Sequence, residues 1–169
     1  AHQSLVNFTS AAIEEYGINE KDRILQFASI SFDTAAEEIY PCLTTGATLI
    51  LRTEDLLSSS NQFWQCTQDW QLTVLDLPTA YWHYLTADLQ PSDSRIPSCL
   101  RLVIIGGEEA IADNVKRWFS SLKGLKNPPL LLNTYGPTEA TIVSTICPLR
   151  EDSLAEDWKV PIGRPIDNT

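Results

Sequence analysis

One run of residues, Asn133-Thr134-Tyr135-Gly136-Pro137-Thr138-Glu139-Ala140-Thr141, gathers much of the chemistry this chain can offer. Leu130-Leu131-Leu132 before it reads as a short buried strand, and Gly136-Pro137 breaks that strand. At the break, Tyr135 offers a flat aromatic face, Thr138 a hydroxyl, and Glu139 a carboxylate suited to a hard cation such as Mg²⁺. A polar turn at a strand end also follows from Gly-Pro alone, so the run is either a phosphate-handling turn or a plain one. Other chemistry-bearing residues fall at similar breaks. Asp33 sits in an otherwise apolar stretch, where Asp33 or Thr34 could cap the next helix. Asp76 lies within Leu75-Asp76-Leu77-Pro78, and Gly106-Gly107 leaves bare backbone after Leu100 to Ile105.

The elements that must carry these residues alternate. Leu5, Phe8, Ala12, Ile13 and Tyr16 share one helical face that Gly17 stops. A strand is expected over 23–31, then a helix over 35–44 that Pro41 bends and Gly46 ends, then a strand over 47–51. Ser58 to Asn61 leads into a helix bearing Phe63, Trp64 and Trp70; 72–77 reads as a strand, and Pro78-Thr79 opens a further helix. After the polar loop 91–97 come a strand at 100–105 and a helix with Ile111, Val115, Trp118, Phe119 and Leu122 on one face. The strand leading into the Gly-Pro break and another over 141–147 complete the pattern. Such alternation implies an α/β fold, a mostly parallel sheet flanked by helices. Ligands of such sheets bind beyond the strands' carboxyl ends, where Asp33, Asp76, Gly106-Gly107 and Tyr135 to Glu139 all fall.

Asn-Thr-Tyr-Gly-Pro-Thr-Glu closely resembles the central signature of adenylate-forming, AMP-binding enzymes, in the form carried by adenylation domains of nonribosomal peptide synthetases. Other stretches match in order across the chain. The resemblance implies part of the large N-terminal domain of such an enzyme: 1–22 as the end of a preceding subdomain, 23–148 as the α/β substrate- and nucleotide-binding subdomain, and 149–169 as the lead-in to a β-barrel subdomain, through Val160-Pro161-Ile162-Gly163-Arg164-Pro165. It implies ATP and Mg²⁺ as cofactors, with Asn133 at the adenine edge, Tyr135 on its ring, Thr138 on a phosphate oxygen and Glu139 on the metal. Gly136 belongs to the same turn, and Gly107-Glu108-Glu109-Ala110 resembles the stretch whose backbone lies along the adenine. Thr138 and Glu139 are then the catalytic residues. The partners implied are a peptidyl carrier protein bearing 4'-phosphopantetheine and neighbouring synthetase domains.

Phe32-Asp33-Thr34-Ala35 resembles the family motif whose Asp binds the substrate α-amino group, with Ala35 in place of the usual Ser. The substrate side-chain pocket carries over onto Thr34, Glu37, Asp76, Ile104, Gly106, Thr134, Ile142 and Val143, with Glu38 matching the Glu of the family's first motif. That lining is small and apolar apart from Glu37 and Asp76. Two carboxylates facing one cavity rise in pKa unless a cation neutralises them, so a basic amino acid (Arg, Lys or Orn) is expected. The other reading of Glu37 is an exposed helix residue.

Composition fits a soluble α/β domain: 169 residues, 43% apolar, and a net charge of −10 from 12 basic and 22 acidic residues. The acidic excess lacks the basic patch that nucleic-acid or anionic-membrane binding needs, and no apolar run nears the ~20 residues of a membrane span. Cys42, Cys66, Cys99 and Cys147 show no metal-ligand spacing and are expected as free thiols in a cytoplasmic protein. With no Met and no signal-like N-terminus, an excised segment is expected. Neither G-x-x-x-x-G-K-[ST] nor G-x-G-x-x-G occurs. The family's Ser/Thr/Gly-rich phosphate loop, ribose-binding Asp motif and lid lysine are also missing, so the fragment alone is expected to be inactive. Two rivals stand beside the amino-acid-activating ligase: an acyl-CoA or aryl-acid ligase of the same superfamily, and a noncatalytic nucleotide-binding α/β domain.

Overall fold

A computed structural model of the chain describes residues 2–153 and 159–168. In chain order the elements are α1 (His2–Tyr16), β1 (Arg23–Gln26), α2 (Thr34–Thr44), β2 (Thr48–Leu51), α3 (Ser60–Asp69), β3 (Val74–Pro78), α4 (Thr79–Thr86), β4 (Leu102–Gly106), α5 (Ala112–Ser121), β5 (Leu130–Tyr135), β6 (Thr145–Leu149) and β7 (Arg164–Pro165). The strands form one sheet in the order β2-β1-β3-β4-β5-β6-β7. β1 to β5 are mutually parallel, and β6 and β7 are antiparallel additions at the edge. The mostly parallel sheet flanked by helices is therefore the architecture that the alternating pattern predicts. Of the expected lead-in segment 149–169, residues 154–158 and Thr169 lie outside the described residues, as does Ala1 of the expected 1–22 segment.

The two-residue period of the strands sorts the core into two layers. Leu25, Leu75, Leu77, Val103, Ile105 and Leu131 face Phe63, Trp64, Trp82 and Trp118 of α3, α4 and α5. Ile24, Val74, Leu102, Ile104 and Leu132 face the opposite way, toward Phe8, Ala12 and Tyr16 of α1 and Cys42 of α2. Asp76 shares the parity of Val74, so it points into the second, α1/α2 layer beside its register partner Ile104. A carboxylate is thus built into an apolar sheet face.

α3 begins at a Ser59 cap, whose hydroxyl accepts from the Gln62 N–H at 3.1 Å. α2 starts differently. Asp33 occupies its N-cap in the right-handed helical region and makes no side-chain cap bond, which corrects the capping expectation for Asp33. Pro41 lies inside α2, removing the usual helical donor to the Glu37 carbonyl.

Two strands differ from expectation. The first ends at Gln26 instead of running to residue 31, because the Glu38 carboxylate intercepts the backbone. Its Oε1 accepts from the N–H groups of Phe27 and Ala28, both at 2.9 Å. The last long strand starts at Thr145, not 141, because Thr141 and Ile142 adopt φ of 69° and 75°. For a β-branched residue such as Ile142 that is a strained conformation, and no strand can pass through it.

One clamp ties α1 to the sheet. Arg101 meets Asp22 through Nε at 2.7 Å and Nη2 at 2.6 Å, and donates to the carbonyls of Tyr16 and Gly17 at 3.0 Å each. Thr73 and the Asn19 N–H also donate to Asp22. Burial opposes ionisation of Asp22, but the bonds from Arg101, Asn19 and Thr73 outweigh it and hold the carboxyl below its ordinary pKa. Asp22→Ala is expected to cost about 2–3 kcal/mol, since it removes the buried acceptor that Arg101, Asn19 and Thr73 share while the part-exposed guanidinium turns to water. Thermal unfolding checks this, and a loss under about 1 kcal/mol contradicts it.

Candidate functional site

A cavity of about 700 Å³ opens above the carboxyl ends of the parallel strands. It lies where the strand order reverses between β1 and β3, the crevice that open α/β sheets use for ligands. The loop after β1 contributes Phe27, Ala28 and Phe32; α2 contributes Thr34 and Glu37; β3 contributes Asp76. Gly106 and Thr134 come from the ends of β4 and β5, and the buried Ile142 and Val143 complete the lining. Asp33, Thr34, Glu37, Asp76, Gly106, Thr134, Ile142 and Val143 are therefore brought together. Ile104 is not among the lining residues; it is buried in the core layer next to Asp76.

The acidic end of this cavity is enclosed. Glu37 is 6% exposed and Asp76 4%, so the exposed-helix reading of Glu37 does not hold. Tyr16 reaches in from α1 and donates its hydroxyl to Glu37 Oε1 at 2.5 Å. Asp76 Oδ2 is buried with no hydrogen-bond partner among the described residues. Burial is the main force on both groups. It lifts Glu37 to about 7 against the Tyr16 bond, with Glu38 and Asp33 adding repulsion. It lifts Asp76 well above the carboxylate range, helped by the charges of Glu37 and Glu38. Glu38 is also raised to about 7 by burial, despite its bonds from the backbone of Ala28 and Phe27. Arg52 also lines the cavity, but it lies over the Phe27 ring at 5.3 Å. Among the described residues, neither Glu37 nor Asp76 forms an ion pair with it or with any other cation.

A second cleft of about 510 Å³ adjoins the first, and the two share Gly107, Glu108, Thr134, Gly136 and Pro137. Of these two clefts, only the second is lined by Glu109, Asn133 and Tyr135. Asn133 donates through Nδ2 to the Pro161 carbonyl at 2.8 Å, which leaves its buried Oδ1 as an unused acceptor among the described residues. Tyr135 is 53% exposed, so its ring is open to stacking. Thr138 lines the first cavity, whereas Glu139 lies exposed on a 3-10 turn, Thr138–Ala140, at its rim. Among the described residues no three His, Cys, Asp or Glu side chains gather as a metal cage. A lone carboxylate suits Mg²⁺ held mainly by phosphate oxygens and water.

Gly136 makes the turn possible. A Cβ there stands 2.4 Å from the Ile142 carbonyl oxygen and 2.7 Å from Val143 Cα and Ser144 N, all backbone atoms. The Ser144 N–H returns to the Tyr135 carbonyl at 2.8 Å and closes the loop. Gly106 is equally confined, by Thr134 Oγ1.

Phe27, Ala28 and Arg52 in the lining, and Tyr16 and Glu38 bonded behind it, are contributors that sequence reasoning did not place at the site. Tyr16 is legible as a core residue on an apolar helical face, and the signal for more is its hydroxyl, which needs a partner once buried. The thiols divide: Cys42 and Cys66 are buried and free, while Cys99 and Cys147 are free but half-buried. No helix among the described residues is long and apolar enough to cross a membrane.

Similarity to known proteins extends across the chain. An isonitrile lipopeptide synthase of Streptomyces coeruleorubidus is 42% identical over 99% of the chain, which covers 11% of that protein. Tyrocidine synthase 1 of Brevibacillus parabrevis is 33% identical over 99% of the chain and 14% of its own length. The chain thus spans a small part of the relatives it matches. The Vibrio cholerae adenylation domain AlmE, solved in complex with glycyl-adenosine-5'-phosphate, superposes with a TM-score of 0.81 at 26% identity, over 98% of this chain and 29% of that one. The nonribosomal peptide synthetase FmoA3 shares the fold, with a TM-score of 0.84 at 21% identity over 99% of this chain and 18% of that one. The family model described as AMP-binding enzyme matches residues 1–169, and the chain belongs to that family, in the form found in nonribosomal peptide synthetase adenylation domains.

Proposed function

We infer that this chain forms the substrate-binding floor of an enzyme that activates a basic amino acid (Arg, Lys or Orn) as its aminoacyl adenylate. The observation that carries the reading is a pair of abutting clefts, one ending on two buried carboxylates without a cationic partner among the described residues. A bound ammonium or guanidinium supplies that missing charge. Asp33, free of any capping duty, takes the substrate α-amino group. A neutral acyl chain leaves that carboxylate unanswered, which disfavours the acyl- and aryl-acid ligase reading.

ATP fits the second cleft. Asn133 Oδ1 is the acceptor an adenine amino group needs, Tyr135 offers the ring face, and Gly107, Glu108 and Glu109 line the same cleft. Thr138 is assigned to a phosphate oxygen and Glu139 to Mg²⁺. The substrate carboxylate attacks the α-phosphorus, the bond to the bridging oxygen breaks, and pyrophosphate leaves. Positioning at the shared wall, Thr134 to Pro137, supplies most of the catalysis. The aminoacyl group then passes to the 4'-phosphopantetheine thiol of a peptidyl carrier protein in a cytoplasmic assembly with neighbouring synthetase domains. The test is ATP–pyrophosphate exchange by the full-length synthetase against a panel of amino acids. Exchange with neutral amino acids alone overturns the basic specificity, and no amino-acid-dependent exchange overturns the class.

The reading carries a pH signature. Before a cation binds, burial favours the protonated forms of Asp76 and of Glu37, the latter pushed up to about 7. A cation binds the deprotonated pair, so binding releases protons and KM for the basic amino acid falls as pH rises from about 6 to about 8. The slope is at most about tenfold per pH unit for each proton released. A KM independent of pH over that interval contradicts it.

A further inference from the structure

Tyr16 lies outside the cavity lining, yet its side chain makes a direct bond to the cavity's acidic end. It is the last residue of α1 and is 4% exposed. Its hydroxyl donates to Glu37 Oε1 at 2.5 Å, and Glu37 is itself a lining residue of the cavity. The tyrosine is itself held from behind. Arg101, just ahead of β4, donates to the Tyr16 carbonyl at 3.0 Å while its guanidinium grips Asp22. A chain of defined bonds thus runs from the sheet through Arg101 and Tyr16 to Glu37. Apolar contact alone asks for no hydroxyl at this place.

We propose that Tyr16 is a positioning residue for substrate selection, its hydroxyl fixing Glu37 as the acceptor that meets a cationic side chain. The proposal rests on the basic-amino-acid reading above. A carboxylate with one oxygen anchored presents the other in a set direction, and a rotamer held by packing and a hydrogen bond needs no reordering when ligand arrives. The bond also favours the charged form of Glu37 against burial. The surrounding charges act on the same group from each side. Asp33 at the N-cap of α2 and Glu38 within it repel it, and Asp76 on β3 lines the same cavity. Glu15 on α1 acts on the Tyr16 phenol, which burial first and Glu37 second keep protonated well above its ordinary range. Arg52, after β2, acts on Glu38. Tyr16 is therefore a donor throughout the working pH range.

The experiment is Tyr16→Phe in the full-length synthetase, read by ATP–pyrophosphate exchange with Arg, Lys and Orn from about pH 6 to about pH 9. The expected result is a KM for the preferred basic amino acid raised about tenfold at pH 7, with kcat within about twofold and KM for ATP unchanged. The midpoint of the KM–pH profile moves up by about one unit, because Glu37 has lost the donor that favours its charge. In a Glu37→Gln background, Tyr16→Phe adds no further KM change. Two outcomes overturn the proposal alone: wild-type KM and pH midpoint in Tyr16→Phe, or an undiminished KM rise in the Glu37→Gln background. A wild-type enzyme that exchanges only with neutral amino acids fails the underlying substrate reading instead, before any variant is compared.

Discussion

Replacing both buried acids, Glu37→Gln with Asp76→Asn, is expected to lower kcat/KM for basic amino acids by about two to three orders of magnitude while leaving KM for ATP unchanged. Removing the partners of a desolvated charge costs roughly 2–5 kcal/mol, which covers that range. The same variant is expected to be more stable than wild type at about pH 8. Glu37, raised to about 7 in the folded chain, sits above its ordinary value of 4.5. Its contribution is fully present below about pH 4.5 and is lost as pH rises through about 7. The amides carry no charge to bury, so that loss disappears, and the amide oxygen introduced by Glu37→Gln can still accept from Tyr16. Each kcal/mol regained raises Tm by about 2–4 °C in a domain of this size. Basic-substrate preference surviving in the double variant sinks the specificity reading, and a lower Tm at that pH sinks the account of the cavity's charge. The pairing of gained stability with lost selectivity is the usual mark of a binding site.

Gly136→Ala is expected to reduce amino-acid-dependent exchange by about a hundredfold or more with the overall fold retained. The added methyl meets only backbone, from Ile142 to Ser144, so the loop must move as a unit. That loop carries Ile142 and Val143 into the cavity lining, and Thr138 follows the turn at Gly136 into the same lining. A displacement of about 1 Å in a positioning element costs on this scale. Thr141 and Ile142 already occupy the left-handed region, so the segment has little slack to absorb the shift. Exchange kinetics measure the loss, and circular dichroism checks the fold. Activity within a few fold of wild type removes Gly136 from the positioning machinery.

The alternation of strand and helix, the parallel sheet and the placing of the Gly-Pro signature at a strand's carboxyl end were all legible in the residues. They follow from hydrophobic period and turn chemistry, which are local properties. So was Asp76 as a carboxylate in an apolar strand, since parity alone sends it to the face of Val74. The bend of the chain after Gln26 was not legible, because Glu38, well beyond it in the chain, takes the backbone N–H groups that a longer strand needs. Nor was the antiparallel β6, whose start is set by an Ile142 backbone that only surrounding packing can hold. Residue order alone dictated which groups stand at the edge of the sheet and, through its motifs, the family. Their states came from the folded arrangement. Burial of Glu37 and Asp76, the Tyr16 hydroxyl arriving from another helix and the free Asn133 oxygen depend on distant segments meeting, and desolvation acts only once they have met.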